Sequence, residues 1–367
     1  MIYFDAGATT LQKPPGVAAA VRNAMQHYAS PGRGGHPPAM DAAEAVFACR
    51  ELAGELFDAA PENVVFTMNA THALNIAIRT LVHPGDRVVI SGFEHNAVTR
   101  PLHHIGADVV VAGRKLFDAA DTLADFDRAV TEKTRAVICT HVSNVFGYIL
   151  PVAQIAALCA ARGVPFILDA SQSAGALPVS LKKLGAAFIA MPGHKGLYGP
   201  QGTGILLCGR MPEPLMQGGS GSQSRLQEMP DYLPDGAEAG TQNVCGICGL
   251  AAGLRFVGVT GVDAIGSHER RLRQRLITGL RELGGITVFD GGEEQLGTVS
   301  FLVDGEDCEQ TAKRLADRGI CVRAGLHCAP TAHESASTLD SGTVRASFSF
   351  FNTERETDQF CNLLKKS

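Results

Sequence analysis

No block of five like charges occurs anywhere in the 367 residues, and the formal net charge is only -5 with the 12 histidines counted neutral. A basic nucleic-acid footprint is excluded on that ground. The opening residues, MIYFDAGATT, lack the positive start and apolar core of a secretory signal. The ten cysteines are scattered over a long chain rather than packed as in a small disulfide scaffold. A reduced, cytoplasmic protein is the expectation. No internal repeat is present. The stretch 136–161 carries no Asp, Glu, Lys or Arg, yet His141, Ser143, Asn144, Gly147, Pro151 and Gln154 interrupt it. It reads as a buried strand, loop and helix with Pro151 in the first turn, not as a membrane span. Cys245 and Cys248 have redox or metal spacing, but no second cysteine or histidine pair stands near them in the sequence, so no metal site is expected.

What is present is an apolar-rich chain, 45% hydrophobic and 19% charged, long enough for two domains. Short β-rich runs at 64–67, 87–91, 108–111, 136–140, 164–168, 186–190 and 203–207 alternate with helical periodicity. Such alternation predicts a mostly parallel sheet covered on both faces, with function at the strands' carboxyl ends. Residues 212–245 read as irregular. Helices then start near Ile247 and at Ser267–Leu283, followed by strands at 286–289 and 298–303, a helix at 308–318, a strand around Cys321 and a last helix from Thr353. This ordering predicts a smaller α+β domain.

The richest stretch is MPGHKGLYGPQGTGIL at 191–206, which puts His194 and Lys195 on a glycine-rich turn after an apolar run. A lysine shielded from water loses its proton more easily and can attack an aldehyde such as that of pyridoxal 5'-phosphate (PLP). Upstream, the run Val164–Leu168 ends in Asp169, where open α/β sheets bind ligands. A carboxylate there would keep a pyridine nitrogen protonated as an electron sink, or would simply cap a turn with Ser171 and Gln172.

Other candidates follow strand ends. Asn69, Ala70 and Thr71 open a helix whose free amides suit a phosphate. Glu238 to Thr241 make another Gly/Thr corner. His95, in SGFEHNAV, suits ring stacking or proton shuttling. Asn144 suits a phenolic oxygen or a carboxylate, or shapes the loop before Gly147. Cys328 lies beside His327 in RAGLHCAP, a setting for a nucleophilic thiol. Arg345 and Arg323 compete as the fork for an α-carboxylate.

Together FDAGATT (4–10), EHNA (94–97), HVSNVFG (141–147), LDASQS (168–173), GHKGLYGPQGTG (193–204), EAGTQN (238–243), RAGLHC (323–328) and VRASFSFFN (344–352) resemble the class V aminotransferase family of PLP enzymes. Within it they are similar to the cysteine desulfurase and selenocysteine lyase branch. The resemblance implies an α/β chain of PLP-dependent transferase fold type I: a large domain (16–250) with a mostly parallel seven-stranded sheet and a smaller C-terminal α+β domain (251–367) carrying the cysteine loop. Residues 1–15 would pack near the small domain and the active site.

It also implies roles. Lys195 resembles the Schiff-base lysine, Asp169 the partner of the pyridine nitrogen, His95 the stacking ring and Gln172 the ligand of the phenolic oxygen. Ala70, Thr71 and His194 are similar to phosphate-side contacts, and Thr241 to one reaching in from the other subunit of a homodimer. Asn144 resembles a cofactor and substrate ligand; Ala8, Arg33, Arg323 and Arg345 resemble substrate contacts. Cys328 resembles the persulfide cysteine, on a short loop of the kind that usually needs a partner protein as sulfur acceptor. Pro192 replaces the Ser or Thr common before GHK, Ala6 and Gly7 replace the usual Asn and Ala, and Gly32 precedes Arg33 where some relatives carry His. The implied activity converts L-cysteine to alanine with a persulfide on Cys328. Its rivals are a selenocysteine lyase, a cysteine sulfinate desulfinase and a catalytically silent sulfur-relay scaffold.

Overall fold

The computed structural model describes residues 1–31 and 34–365. A two-residue strand, β1 (Ile2–Tyr3), precedes helices α1 (Pro15–His27) and α2 (Pro37–Phe57). Then come β2 (Val64–Thr67), α3 (Ala70–Leu81), β3 (Arg87–Ser91), α4 (Asn96–Ile105), β4 (Asp108–Ala112), α5 (Ala119–Ala129), β5 (Thr134–Thr140), α6 (Val152–Ala161) and β6 (Phe166–Asp169). After α7 (Leu181–Leu184) follow β7 (Phe188–Pro192), β8 (Gly204–Cys208), α8 (Val244–Thr260) and α9 (Val262–Leu283). The remainder is β9 (Ile286–Val288), β10 (Thr298–Val303), α10 (Cys308–Ala316), β11 (Ile320–Cys321), β12 (Arg323–Gly325), α11 (Pro330–Ser335), β13 (Thr343–Ser347) and α12 (Glu354–Lys365).

Seven strands form one sheet in the order β2-β8-β7-β6-β5-β3-β4, in which β8 alone runs against its neighbours. The expected seven-stranded, mostly parallel sheet is therefore present. Alternate residues feed opposite faces, as the two-residue period of a strand demands. Val88, Ile90, Ile138 and Ile167 join the core under α3 and α4, while Val89, Val137, Cys139 and Leu168 join the one that includes α2 and α6. Burial on both faces explains why these strands read as continuous apolar runs. Because β3, β5, β6 and β7 point the same way, Ser91, Thr140, Asp169 and Pro192 end along one edge.

The C-terminal part packs an antiparallel sheet, β12-β13-β10-β9, beneath α9 and α12, with Leu276, Leu280, Phe301 and Phe360 in its core. The N-terminus is threaded into this layer: β1 pairs in parallel with β11, Ile2 opposite Ile320, and Phe4 is buried there. Strand β13, at 343–347, carries no clear strand signal in the sequence, because Arg345 interrupts the apolar pattern while being itself almost fully buried. An expected boundary after residue 250 falls inside α8, whose Ala251 and Leu254 still pack into the core of the large sheet. The chain turns by 82° between α8 and α9, at Gly261 with φ +87°; we infer that the two parts divide there. Among the described residues no single helix is long and apolar enough to cross a membrane.

Candidate active site

Lys195 owes its position to two glycines. A Cβ on Gly196 would lie 2.3 Å from the Ala174 oxygen, and one on Gly175, which has φ +91°, would lie 2.1 Å from the Gly196 oxygen. Only bare backbones can approach so closely, and that contact sets the lysine turn against the loop leaving β6. The N-terminal segment clamps the same turn from the other side. The His194 carbonyl accepts from Thr10 N at 3.1 Å and from Lys13 Nζ at 2.9 Å. Burial pulls the Lys195 ammonium down to about 8, and the Arg345 guanidinium adds to the effect against the pull of Asp169. That is a lysine with an appreciable neutral fraction near physiological pH.

Lys195 opens into a cavity of about 230 Å³ at the sheet's carboxyl edge. Asp169, only 2% exposed, lines it; its Oδ1 accepts from Ser171 N at 2.9 Å and from the Ser171 hydroxyl, leaving Oδ2 for a donor in the cavity. His95 is the N-cap of α4: its Nδ1 accepts from Ala97 N at 3.0 Å, which puts the ring proton on Nε2. Burial lowers the His95 pKa to about 4, although Asp169 acts the opposite way, so the ring that lines the cavity is neutral. Asn69 caps α3 by accepting from His72 N at 2.9 Å, as its position predicts. The first-turn amides at Ala70 and Thr71 have no intrahelical acceptor and border the same cavity.

The opposite wall comes from the C-terminal part. Arg345 is buried in β13 with Nη1 donating to Asn144 O at 2.9 Å and Nη2 to Asp5 Oδ1 at 2.6 Å. Its Nε has no partner among the described residues. Arg323 lines the cavity and approaches Cys328 Sγ with Nη2 at 3.8 Å. Cys328 is exposed, and both it and His327 sit in the left-handed region, at φ +58° and +51°. Three contacts hold that turn. Asn144 Nδ2 donates to His327 O at 2.8 Å, Asn96 N donates to Cys328 O at 2.7 Å, and His327 Nε2 meets Thr343 at 3.2 Å.

The cavity thus gathers Ala8, Ala70, Thr71, His95, Asn144, Asp169, Gln172, His194, Lys195, Arg323 and Arg345 from the expected set. Cys328 stands beyond its lining, next to His327, which is part of it. Thr241 is not brought there: it is exposed and lines a separate hollow with Met68 and Met216. Glu238, beside it, serves the fold, bonding Arg50 at 2.6 Å and Phe66 N at 2.6 Å. Gln172 Nε2 is engaged by Gly7 O at 3.0 Å. Arg33 and Gly32 lie outside the described residues. A larger groove of about 1110 Å³ beside α2 and α7 contains none of the expected residues.

Two residues escaped the sequence reading. Asp5, the ion-pair partner of Arg345, stands in the FDAGATT string, but 340 positions hide the pairing. Glu94, next to His95, is fully buried; burial raises its pKa to about 8, and its Oε1 ties the end of β3 to Thr140 N at 2.7 Å. An acid in the short turn between the apolar run 87–91 and His95 was the available signal.

Comparison with known proteins agrees with this geometry. Residues 2–360 match the profile of the family described as aminotransferase class-V. The chain belongs to that family. A probable cysteine desulfurase of Methanothermobacter thermautotrophicus is 34% identical over 97% of this chain and 92% of its own, and one of Pyrococcus abyssi is 32% identical over 100% and 94%. Among solved structures, the apo cysteine desulfurase of Thermococcus onnurineus superposes with a TM-score of 0.91 at 31% identity, covering 100% of this chain and 94% of that one.

PLP is the cofactor of this class, and the residues present fit it. A buried carboxylate with a free oxygen suits a pyridinium, a neutral ring suits stacking, a helix N-terminus suits a phosphate and a lysine of depressed pKa suits the aldehyde.

Proposed function

We propose that this protein is a PLP-dependent cysteine desulfurase that converts L-cysteine to L-alanine and receives the sulfur on Cys328. The observation that carries the reading is an exposed cysteine on a left-handed turn, its sulfur 3.8 Å from Arg323, beside the cavity of Lys195 and Asp169. Asp169 Oδ2 would hold the cofactor's ring nitrogen, His95 its face, Thr71, His194 and the start of α3 its phosphate, and Lys195 Nζ its aldehyde. When bound, PLP supplies the sink for electrons released at the substrate's α-carbon.

The chain's own groups do the rest. Arg323 and Arg345, which line the cavity, orient the substrate carboxylate, with Asn144 beside them. Lys195 Nζ, whose depressed pKa leaves it partly neutral, would take the α-proton and return a proton to the product. Cys328, as thiolate, attacks the substrate sulfur: the new S–S bond forms as the Cβ–S bond breaks, and the electron pair of that bond stays with carbon. The persulfide is then offered to an acceptor at the surface, where Cys328 already lies.

The reading includes a homodimer in which Thr241 reaches the partner's cavity. It is supported by the exposure of Thr241 and of the apolar Met68 and Met216 around it. A reducing compartment, the cytoplasm, suits a free nucleophilic thiol. The test is alanine released from L-cysteine by the wild type and by Cys328→Ala. The variant is expected to retain bound cofactor and to form no alanine; wild-type turnover in it overturns the mechanism.

A further inference from the structure

Arg345 is 1% exposed, and a cation buried so deeply needs a counter-charge. Asp5 supplies it from the other end of the chain: Arg345 Nη2 donates to Asp5 Oδ1 at 2.6 Å, and the Asp5 side chain is itself only 20% exposed. The segment that carries Asp5 is fixed on both sides. Phe4 packs edge-on against Phe348, their ring centres 4.8 Å apart, and its carbonyl accepts from Ser347 N at 2.8 Å. Asp5 O accepts from Ala8 N at 3.0 Å, and Gly7 N donates to Ser347 Oγ at 2.8 Å. A Cβ on Gly7 would lie 3.3 Å from Arg345 Cζ, so only bare backbone lies against the guanidinium at that position. The Asp5 carboxylate is therefore a built part of the wall that Arg323 and Arg345 present to the cavity.

We propose that Asp5 is the specificity-determining residue of this wall: its fixed negative charge on Arg345 admits a substrate with one acidic group and disfavours one with two, such as a cysteine oxidised to the sulfinate. Arg345 has little left to offer a ligand. Its Nε is buried without a partner among the described residues, and each terminal nitrogen already has an acceptor, Asn144 O on Nη1 and Asp5 Oδ1 on Nη2.

The charge count leads to the same conclusion. With Cys328 as the thiol, the wall holds two cations, Arg323 and Arg345, against one fixed anion, Asp5. A single positive charge remains uncompensated, which matches one carboxylate. The second acidic group of a small amino acid lies only a few bonds from the first and enters the same field, with no further cation of the wall to meet it. Screening by water is weak around groups buried to this degree. The charge of Asp5 is felt inside the cavity, where it favours the Lys195 ammonium against the pull of burial.

The inference rests on the reading of Arg345 as a ligand of the substrate carboxylate, and its test reads binding rather than sulfur chemistry. Dissociation constants of L-alanine, L-aspartate and L-alaninamide, measured from the visible absorbance of the full-length holoenzyme, compare ligands with one, two and no free carboxylates. Asp5→Asn keeps an oxygen for Arg345 and removes the charge. It is expected to tighten L-alanine about tenfold and L-aspartate about a hundredfold, while L-alaninamide stays unchanged. Asp5→Glu is expected to restore the wild-type discrimination. If Asp5→Asn does not fold, Asp5→Ala reads the same quantities. An aspartate-to-alanine affinity ratio unmoved in a folded Asn or Ala variant, or a loss of L-alanine binding in both, overturns the proposal and leaves the carboxylate reading of Arg345 standing. A wild type that binds L-alaninamide as tightly as L-alanine removes that reading and the proposal together.

Discussion

Asp169 closes the parallel strand β6, and Lys195 and His95 follow the ends of β7 and β3, the lysine turn set between the loop leaving β6 and the N-terminal segment and His95 capping its own helix, whereas Cys328 stands with His327 on a left-handed turn held by three contacts from other elements. The first region is a rigid cradle in which burial tunes protonation. The second stores backbone strain of order 1–3 kcal/mol per residue, which persists only because the surroundings over-determine it. A cofactor needs the former. A sulfur that must meet a substrate at a cavity's edge and then an acceptor at the surface suits the latter.

The sharpest way to break this comparison is one substitution in each region. Lys195→Ala is expected to lose about 10⁴-fold or more in alanine formation and to lose the cofactor's lysine-linked absorbance. Cys328→Ala is expected to lose as much turnover while keeping that absorbance. Equal spectra for the two variants would mean that the cavity does not hold the cofactor as described.

A smaller effect is expected at the cradle's foundation. Gly196→Ala pushes a methyl against the Ala174 oxygen, and overpacking of this kind costs about 1–3 kcal/mol. Denaturant midpoints check it, and an unchanged midpoint would show that the turn gives way freely. Protonation offers a third comparison. Folded Glu94 keeps its proton up to about pH 8, whereas the unfolded carboxyl releases it near 4.5. The native state therefore binds more protons across that window, and this group's contribution to stability declines as pH rises through it. Glu94→Gln is expected to flatten the decline in thermal midpoint between those pH values; an unaltered slope contradicts the assignment. The smallest effect belongs to the strained turn. Cys328→Gly is expected to be more stable than Cys328→Ala by about 1 kcal/mol, because glycine carries no left-handed penalty.

The same contrast governs what could be read from the sequence. Strands β2 to β8 were legible within about two residues because burial on both faces writes all but the edge strand β4, itself a run of valines, as apolar runs, and Asp169, His95 and Asn69 followed as strand-end residues. The C-terminal wall was less legible. Strand β13 carries a buried arginine, so its hydrophobic pattern is broken, and the partner of that arginine, Asp5, is supplied by the other end of the chain. The bend at Gly261, where we infer that the two parts divide, was masked by the continuous apolar character of α8. Thr241 shows a different limit: its string is clear, but the cavity it is expected to serve is not the one its own chain builds.

The central claim is that one amine, at position 195, carries the cofactor. Borohydride reduction of the holoenzyme followed by peptide mapping tests it most directly. The account predicts the reduced pyridoxyl group on Lys195; its appearance on Lys13, on any other lysine or on none contradicts the account.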